Sequence, residues 1–300
     1  MAKIYNSGET AASYVIDFTV GWSFGEPQGE EVMNKLIVAL LSVLFAMGSP
    51  VQNHNKVRRG PPPPPPTLTP TFQDDFNTGR LSSNWVVSNW AAPGSIAKVN
   101  NGSFSPSMID MSQGYLRIKL TQSRNSDGSV TSVGGEIQLN KLFGYGTYVF
   151  KMRTSSTSPT YNGSGTSVSG QVSAAFNYLP DANYNSVTEI DAPEVEGQNP
   201  NQLSFTVWNN SDQSDHAAFP FYGSEDAFHE YKFQWFAGSV KFFVDGTLVY
   251  TATQNVPTLA AYPMINHWGT NSIDWGGLAT PDVDRYMYVS SFKFYAGVAV

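Results

Sequence analysis

The sequence contains no cysteine, and its charged residues are scarce. Without cysteine there are no disulfides, thiol nucleophiles, Cys-ligated zinc sites or iron–sulfur clusters. Charged residues make up 14% of the 300 positions, against about 25% in an average soluble chain. The 17 basic residues are outnumbered by 24 acidic ones, for a formal net charge of -7. Nucleic-acid binding depends on Lys and Arg that neutralise phosphates, so we expect no nucleic-acid partner.

Beyond residue 70 the sequence also lacks a helical stripe longer than about two turns and a repeat with a period of about 20–50 residues. It contains short runs rich in Val, Ile, Phe, Tyr and Thr, separated by clusters of Gly, Asn, Asp and Ser. Asp245-Gly246 between two such runs predicts a two-residue hairpin turn. Many short strands predict an all-β sandwich or jelly roll of antiparallel sheets. The clearest predicted strands are 115–120, 146–152, 231–236 and 240–244.

The first 70 residues differ in composition from the rest. Residues 36–47 (LIVALLSVLFAM) carry no charge and are too short to span a bilayer, which needs about 20 residues. We interpret 33–48 as a signal peptide that starts at Met33, with a buried helix or an anchor as the alternative. Residues 1–32 are then an N-terminal extension without an assigned role. The run of six prolines at 61–66 predicts that 49–70 is an extended linker before a folded domain over 71–300.

Four carboxylates lie within eight residues, at Glu189, Asp191, Glu194 and Glu196. On an unbroken strand, side chains alternate between two faces, so the last two glutamates would face away from the first two acids. One extra residue in a β-bulge would return Glu194 to the face of Glu189 and Asp191. Pro193 marks the position, because proline inside a sheet is confined to edges, strand starts and bulges. We therefore predict one row of three carboxylates, with Glu196 outside it.

Carboxylates in such a row repel one another, so one should keep its proton near neutral pH while another stays ionised. A retaining glycosidase needs this division between a carboxylate nucleophile and a carboxylic acid about 5–5.5 Å apart. The spacing of Glu189 and Glu194 favours retention over inversion.

The pattern Glu189-x-Asp191-x-x-Glu194 resembles the signature of glycoside hydrolase family 16, in the bulged version of its laminarinase-like branch. The resemblance implies a concanavalin-like β-jelly roll with a concave substrate cleft, and endo-hydrolysis of β-linked polysaccharides with retention. It makes Glu189 the nucleophile, Glu194 the general acid/base and Asp191 the carboxylate that tunes the nucleophile. Flanking segments agree over about residues 72–295: Asp74-Asp75-Phe76 with Trp85, Gly135-Glu136-Ile137, Gly144-Tyr145-Gly146, His229-Glu230-Tyr231, Phe243-Val244-Asp245-Gly246 and Met264-Ile265-Asn266-His267-Trp268.

The resemblance also implies contacts to the substrate along the cleft. Pyranose rings present apolar faces that lie well on aromatic side chains, although any single aromatic residue can instead belong to the core. For His267 a structural role is an equal alternative. Ser291 stands where many family members have a calcium-ligating Asp, so we expect no metal and no cofactor. The predicted substrate-binding residues are Glu136, Phe176, Tyr178, Trp208, His267 and Trp268.

These observations predict a secreted, monomeric endo-β-glucanase that acts on β-1,3 or mixed β-1,3-1,4-glucan outside the cell or in the cell wall. Two alternatives stay open. One is a galactan-cleaving hydrolase or a transglycosylase of the same fold. The other is a non-catalytic carbohydrate-binding sandwich whose acidic row holds calcium.

Overall fold

The computed structural model describes residues 2–6, 14–18, 68–183 and 185–300. The chain divides into two compact units, Met1–Pro65 and Pro66–Val300. In the first unit, β1 (Ala2–Asn6) and β2 (Tyr14–Phe18) pair antiparallel. The predicted signal peptide, and the linker up to residue 67, lie outside the described residues. Within the described part of the chain, no helix has the length and apolar character needed to cross a membrane.

The described part of the second unit consists of strands, turns and one short 3-10 helix at Pro106–Met108. Its strands are β3 (Phe72–Asp74), β4 (Trp85–Val87), β5 (Asn100–Phe104), β6 (Ile109–Asp110), β7 (Leu116–Arg124), β8 (Val130–Leu139), β9 (Gly146–Ser156), β10 (Gln171–Pro180), β11 (Ser186–Glu196), β12 (Gln202–Asn209), β13 (Asp212–Pro220), β14 (His229–Phe236), β15 (Ser239–Val244), β16 (Thr247–Ala252), β17 (Tyr262–Gly269) and β18 (Arg285–Ala296).

These strands form two packed sheets. The front sheet has the order β13-β12-β11-β10-β17-β8, with β4 on β8. The back sheet has the order β7-β18-β9-β14-β15-β16, with β3 on β18 and β6 on β7. The two sheets are continuous where the ends of β7 and β8 pair, and all these pairs are antiparallel except β5 with β8. The predicted all-β jelly-roll sandwich is confirmed.

The core lies between the sheets, and strands such as β14 alternate buried and more exposed residues. In β14, Tyr231, Phe233 and Trp235 are buried, while the intervening residues are partly exposed. Rings from the two sheets meet directly, as between Phe205 of the front sheet and Phe242 of the back sheet, with centroids 5.1 Å apart. The predicted turn at Asp245-Gly246 is confirmed, since both residues have positive φ, 47° and 80°. This packing leaves the other face of the front sheet, its outer face, free for a site.

Candidate active site

A β-bulge interrupts β11 at the predicted position. Across the pair with β10, Ala174 lies opposite Glu194 and Phe176 lies opposite Asp191, so two steps on β10 match three steps on β11. The same offset occurs between β11 and β12. The extra residue falls at Ala192-Pro193, whose peptide bond is cis. The predicted bulge is confirmed.

The bulge brings Glu189, Asp191 and Glu194 onto the outer face of the front sheet. Residues directly opposite each other on antiparallel strands point to the same face. Glu189 lies between Tyr178 of β10 and Trp208 of β12, its opposite residues on the two sides. Glu189 and Glu194 are partly exposed, whereas Asp191 between them is 4% exposed. The carboxylates therefore form one row in the middle of the sheet.

The surroundings of the two glutamates differ. Burial raises the pKa of Glu189 to about 7, although the Ser186 hydroxyl donates a hydrogen bond to its carboxylate and opposes the rise. Burial, followed by the negative charge of Glu189, raises the pKa of Glu194 to about 8, and a hydrogen bond from the Trp275 side chain opposes this. Burial thus keeps both glutamates protonated to a higher pH than an exposed glutamate.

Asp191 has the strongest reason to stay protonated. Burial, followed by repulsion from Glu189 and Glu194, raises its pKa well above the usual range, while a hydrogen bond from Trp208 opposes the rise. A protonated Asp191 can donate a hydrogen bond to an ionised neighbour. The row can therefore hold one ionised carboxylate next to protonated ones near neutral pH, which is the division that acid–base chemistry with a carboxylate nucleophile requires.

Comparison with known proteins identifies the family. The model of "Glycosyl hydrolases family 16" matches residues 97–282, more than half of the chain. The chain belongs to glycosyl hydrolases family 16. A beta-glucanase of Acetivibrio thermocellus is 30% identical over 220 residues, which cover 71% of this chain and 59% of that protein. This family 16 chain thus spans less than two thirds of that relative's length.

Solved structures of the same fold include enzymes named for two kinds of glucan. A prokaryotic beta-1,3-1,4-glucanase (lichenase) from a mouse hindgut metagenome is similar with a TM-score of 0.62 and 21% identity, over 75% of this chain and 98% of that one. The laminarinase catalytic domain from Thermotoga maritima is similar with a TM-score of 0.62 and 15% identity, over 77% of this chain and 99% of that one. At 21% and 15% identity, the similarity to these two structures supports the shared fold alone.

Three of the aromatic residues predicted to bind substrate lie on the outer face beside the carboxylates. Tyr178 and Trp208 flank Glu189 and are partly exposed. Phe176 is buried in a small apolar cluster with Met264, directly opposite Asp191 on β10. Phe176 therefore forms the floor of the site, while Tyr178 and Trp208 offer ring surface. Their contact with a sugar stays a prediction.

The prediction that His267 contacts substrate is wrong. On β17 it lies opposite Ser173 and points to the inner face, where it is 0% exposed. Its Nδ1 lies 3.1 Å from the Ile118 carbonyl oxygen on β7, and its Nε2 lies 3.2 Å from the Gln171 side-chain amide. Burial lowers the pKa of His267 to about 3, so the ring is neutral. His267 links the two sheets.

Glu136 and Trp268 lie on the outer face and are almost completely buried there, and their contact with a sugar stays a prediction. Glu136 is buried, and its carboxylate accepts hydrogen bonds from Ser88 at 2.6 Å and Asn266 at 3.1 Å. Trp268 is 6% exposed because the segment that carries Ala92 and Phe104 packs over it. No pattern in the sequence indicated this covering segment.

Ser186 and Trp275 are residues of the site that the sequence reasoning missed. Ser186 begins β11 and reaches Glu189, three positions along the strand. Trp275 lies in the loop after β17 and reaches Glu194. A signal for the second was present, since the Gly276-Gly277 pair directly after Trp275 indicates a tight turn that fixes the tryptophan in place.

Proposed function

We propose that this chain is a retaining endo-β-glucanase that hydrolyses β-1,3 or mixed β-1,3-1,4-glucan. The observation that carries the proposal is the row of Glu189, Asp191 and Glu194, which the bulge at Pro193 brings to one face of the front sheet. The proposal agrees with the membership of family 16 and with the beta-glucanase, lichenase and laminarinase names of similar proteins.

In the first step, the Glu189 carboxylate attacks the anomeric carbon while Glu194 donates its proton to the glycosidic oxygen. The carbon–oxygen bond breaks, the leaving sugar departs with a new hydroxyl, and a covalent glycosyl-enzyme remains. Glu194, now ionised, takes a proton from water, and the hydroxide attacks the same carbon and releases Glu189. Asp191 donates a hydrogen bond to Glu189 in its ionised state.

Substrate binding rests on Tyr178 and Trp208. The two side chains lie on opposite sides of Glu189, so a sugar bound at the nucleophile would contact rings on either side. Aromatic rings suit the apolar faces of pyranoses and carry no charge, as expected for a neutral polysaccharide. The protein would act outside the cell as a secreted monomer, and the signal peptide predicted over 33–48 supports secretion.

The first prediction concerns the nucleophile. We expect Glu189→Gln to lower hydrolysis of laminarin and lichenan at least about 10³-fold, because the amide cannot form the glycosyl-enzyme. Release of reducing ends measures the rate, and NMR of the first product should show the β-anomer. Glu230→Gln, the same change on the back sheet, is the matched control and should retain full activity. An undiminished rate in Glu189→Gln would remove it from the mechanism, and α-anomer as first product would exclude retention.

The choice of substrate is tested separately on wild-type protein. We expect cleavage of laminarin or lichenan within the chain, with oligosaccharides of several sizes appearing early, and no cleavage of agarose or carrageenan. Preference for either galactan would overturn the glucan assignment and leave the carboxylate mechanism in place.

A further inference from the structure

Glu196 is a buried carboxylate outside the catalytic row, and it holds the loop that follows β17. Its side chain is 6% exposed on the outer face, opposite Val172. Its Oε2 accepts hydrogen bonds from the backbone N–H of Gly276 and from the side chain of Gln198, both at 2.6 Å. A buried backbone N–H needs a hydrogen-bond partner, and the Glu196 carboxyl is that partner for Gly276. The bond therefore fixes the backbone of the loop at Gly276.

The loop is also fixed by its own backbone. Ser272 and Gly277 exchange two backbone hydrogen bonds, of 3.1 and 3.0 Å, and the Gly276 carbonyl accepts one from Gly170 N–H at 2.9 Å. Gly276 has φ of +74°, and a Cβ there would lie 2.4 Å from the Thr270 Cγ2 atom. Only glycine fits this place, so Glu196 acts on one defined backbone conformation.

Trp275 precedes Gly276 and connects this anchor to the catalytic row. Its side chain lies close enough to Glu194 to lower the pKa of that carboxyl, and its ring packs against the cluster that contains Trp268 and Val172. A shift of Gly276 would move Trp275 relative to the Glu194 carboxyl. The loop after β17 therefore connects Glu196 and Glu194, two carboxylates of β11.

We propose that Glu196 is a positioning residue, which places the Trp275 indole against the general acid/base Glu194 by anchoring Gly276. The inference rests on the proposed function. When Glu194 releases its proton to the leaving sugar, it becomes an anion, and the indole N–H stabilises that anion as it forms. This stabilisation speeds the reaction when the leaving group needs a proton, and it has no effect when the leaving group departs without one.

The test compares leaving groups on aryl β-glycosides of one glucan oligosaccharide. A 4-methylumbelliferyl glycoside needs proton donation more than a 2,4-dinitrophenyl glycoside, whose phenolate leaves readily. We expect Glu196→Leu to lower kcat/KM about 10- to 10²-fold on the first glycoside and less than about 2-fold on the second. The first loss is a part of the roughly 10²- to 10⁴-fold that general acid catalysis supplies. Leucine suits the apolar neighbours of Glu196. Glu196→Gln keeps an acceptor for Gly276 and should recover most of the loss.

Trp275→Phe provides the second half of a double-mutant cycle, because it removes the N–H and keeps a ring. We expect Trp275→Phe alone to reproduce the leaving-group dependence, and Glu196→Leu to add less than about 2-fold in that background. If Glu196→Leu does not fold, the cycle is run with Glu196→Ala, which also removes the acceptor for Gly276. Equal losses on both glycosides, additive losses in the cycle, or unchanged rates would each overturn the positioning role. A wild-type protein inactive on both glycosides would instead overturn the proposed function.

Discussion

Glu189, Asp191 and Glu194 carry the same functional group, and their surroundings separate them. The Ser186 hydroxyl donates a hydrogen bond to Glu189. Burial and the charges of Glu189 and Glu194 favour the protonated form of Asp191, and the Trp275 side chain lies beside Glu194. Because the three carboxyls interact, their titration belongs to the row as a whole. Their positions still assign roles, since the Ser186 hydroxyl stabilises the ionised form of Glu189 and the Trp275 side chain lies beside Glu194.

Ser186 gives a prediction at this scale. Its hydrogen bond stabilises the ionised form of Glu189 and lowers the pKa of that carboxyl, so Ser186→Ala should raise it. The nucleophile must be ionised, so the acidic limb of the kcat/KM profile should move to higher pH by about one unit, as expected for a hydrogen bond worth on the order of 1.5 kcal/mol. Hydrolysis of a dinitrophenyl glycoside across the pH range measures it.

Ser107→Ala, at an exposed serine of the 3-10 helix, is the control for Ser186→Ala and should leave the profile in place. An unmoved acidic limb in Ser186→Ala would mean that Ser186 does not influence the nucleophile.

At the scale of the element, the bulge in β11 compensates for an odd spacing between two of its acids. Asp191 and Glu194 are three positions apart, which places them on opposite faces of a regular strand. The bulge restores the shared face, and the neighbouring strands resume their register at Glu194. A strand without the extra residue should therefore present the same row.

Deletion of Pro193 tests this. The three acids would then lie at alternate positions, all on the outer face, with Ala192 kept on the inner side. We expect this variant to retain hydrolysis of lichenan or laminarin within about 10²-fold of wild type, a loss comparable to the misplacement of a positioned group. Deletion of Ile190 on the same strand is the matched control. It turns Glu189 inward and should lower activity to the level of Glu189→Gln.

Far-UV circular dichroism shows whether each deletion variant is folded. A folded Pro193 deletion that is as inactive as Glu189→Gln would show that the bulge does more than set the face of Glu194.

The sequence was sufficient to predict the elements of the site and insufficient to predict what covers them. Alternation and Pro193 together located the bulge, because both are local properties of one strand. His267 and Trp268 are neighbours on β17, and whether each faces a cleft, a core or a covering loop depends on segments more than a hundred residues away. Trp275 was missed for a similar reason, because its role depends on Glu196 and Glu194 of β11, which are distant from it in the sequence.

For the whole molecule, the row of carboxylates acts against stability as the pH rises. Folding raises the pKa of all three groups, so between about 4.5 and about 8 the folded protein binds more protons than the unfolded chain. The contribution of these groups to the free energy of unfolding is therefore fully present below about 4.5 and falls as the pH rises towards 8. The row of carboxylates therefore lowers the stability of the folded protein at alkaline pH.

Glu194→Gln should relieve part of this cost. We expect its midpoint of thermal unfolding to exceed that of wild type by about 2–4 °C at pH 8, as for a gain on the order of 1 kcal/mol. At about pH 3.5, where Glu194 is largely protonated in both states, the two proteins should unfold at the same temperature. Tryptophan fluorescence during heating measures both. A difference independent of pH would show that the titration of Glu194 is not its cause.

The bond that His267 makes across the sandwich limits how the molecule can adapt to its substrate. The ring is enclosed, and it touches Ile118 of the back sheet from the front sheet. Sliding of one layer over the other would break this contact inside the core, where water cannot replace it. The sheet beneath a bound polysaccharide is therefore rigid. Adjustment to polysaccharides of different curvature is left to the loops beside the site.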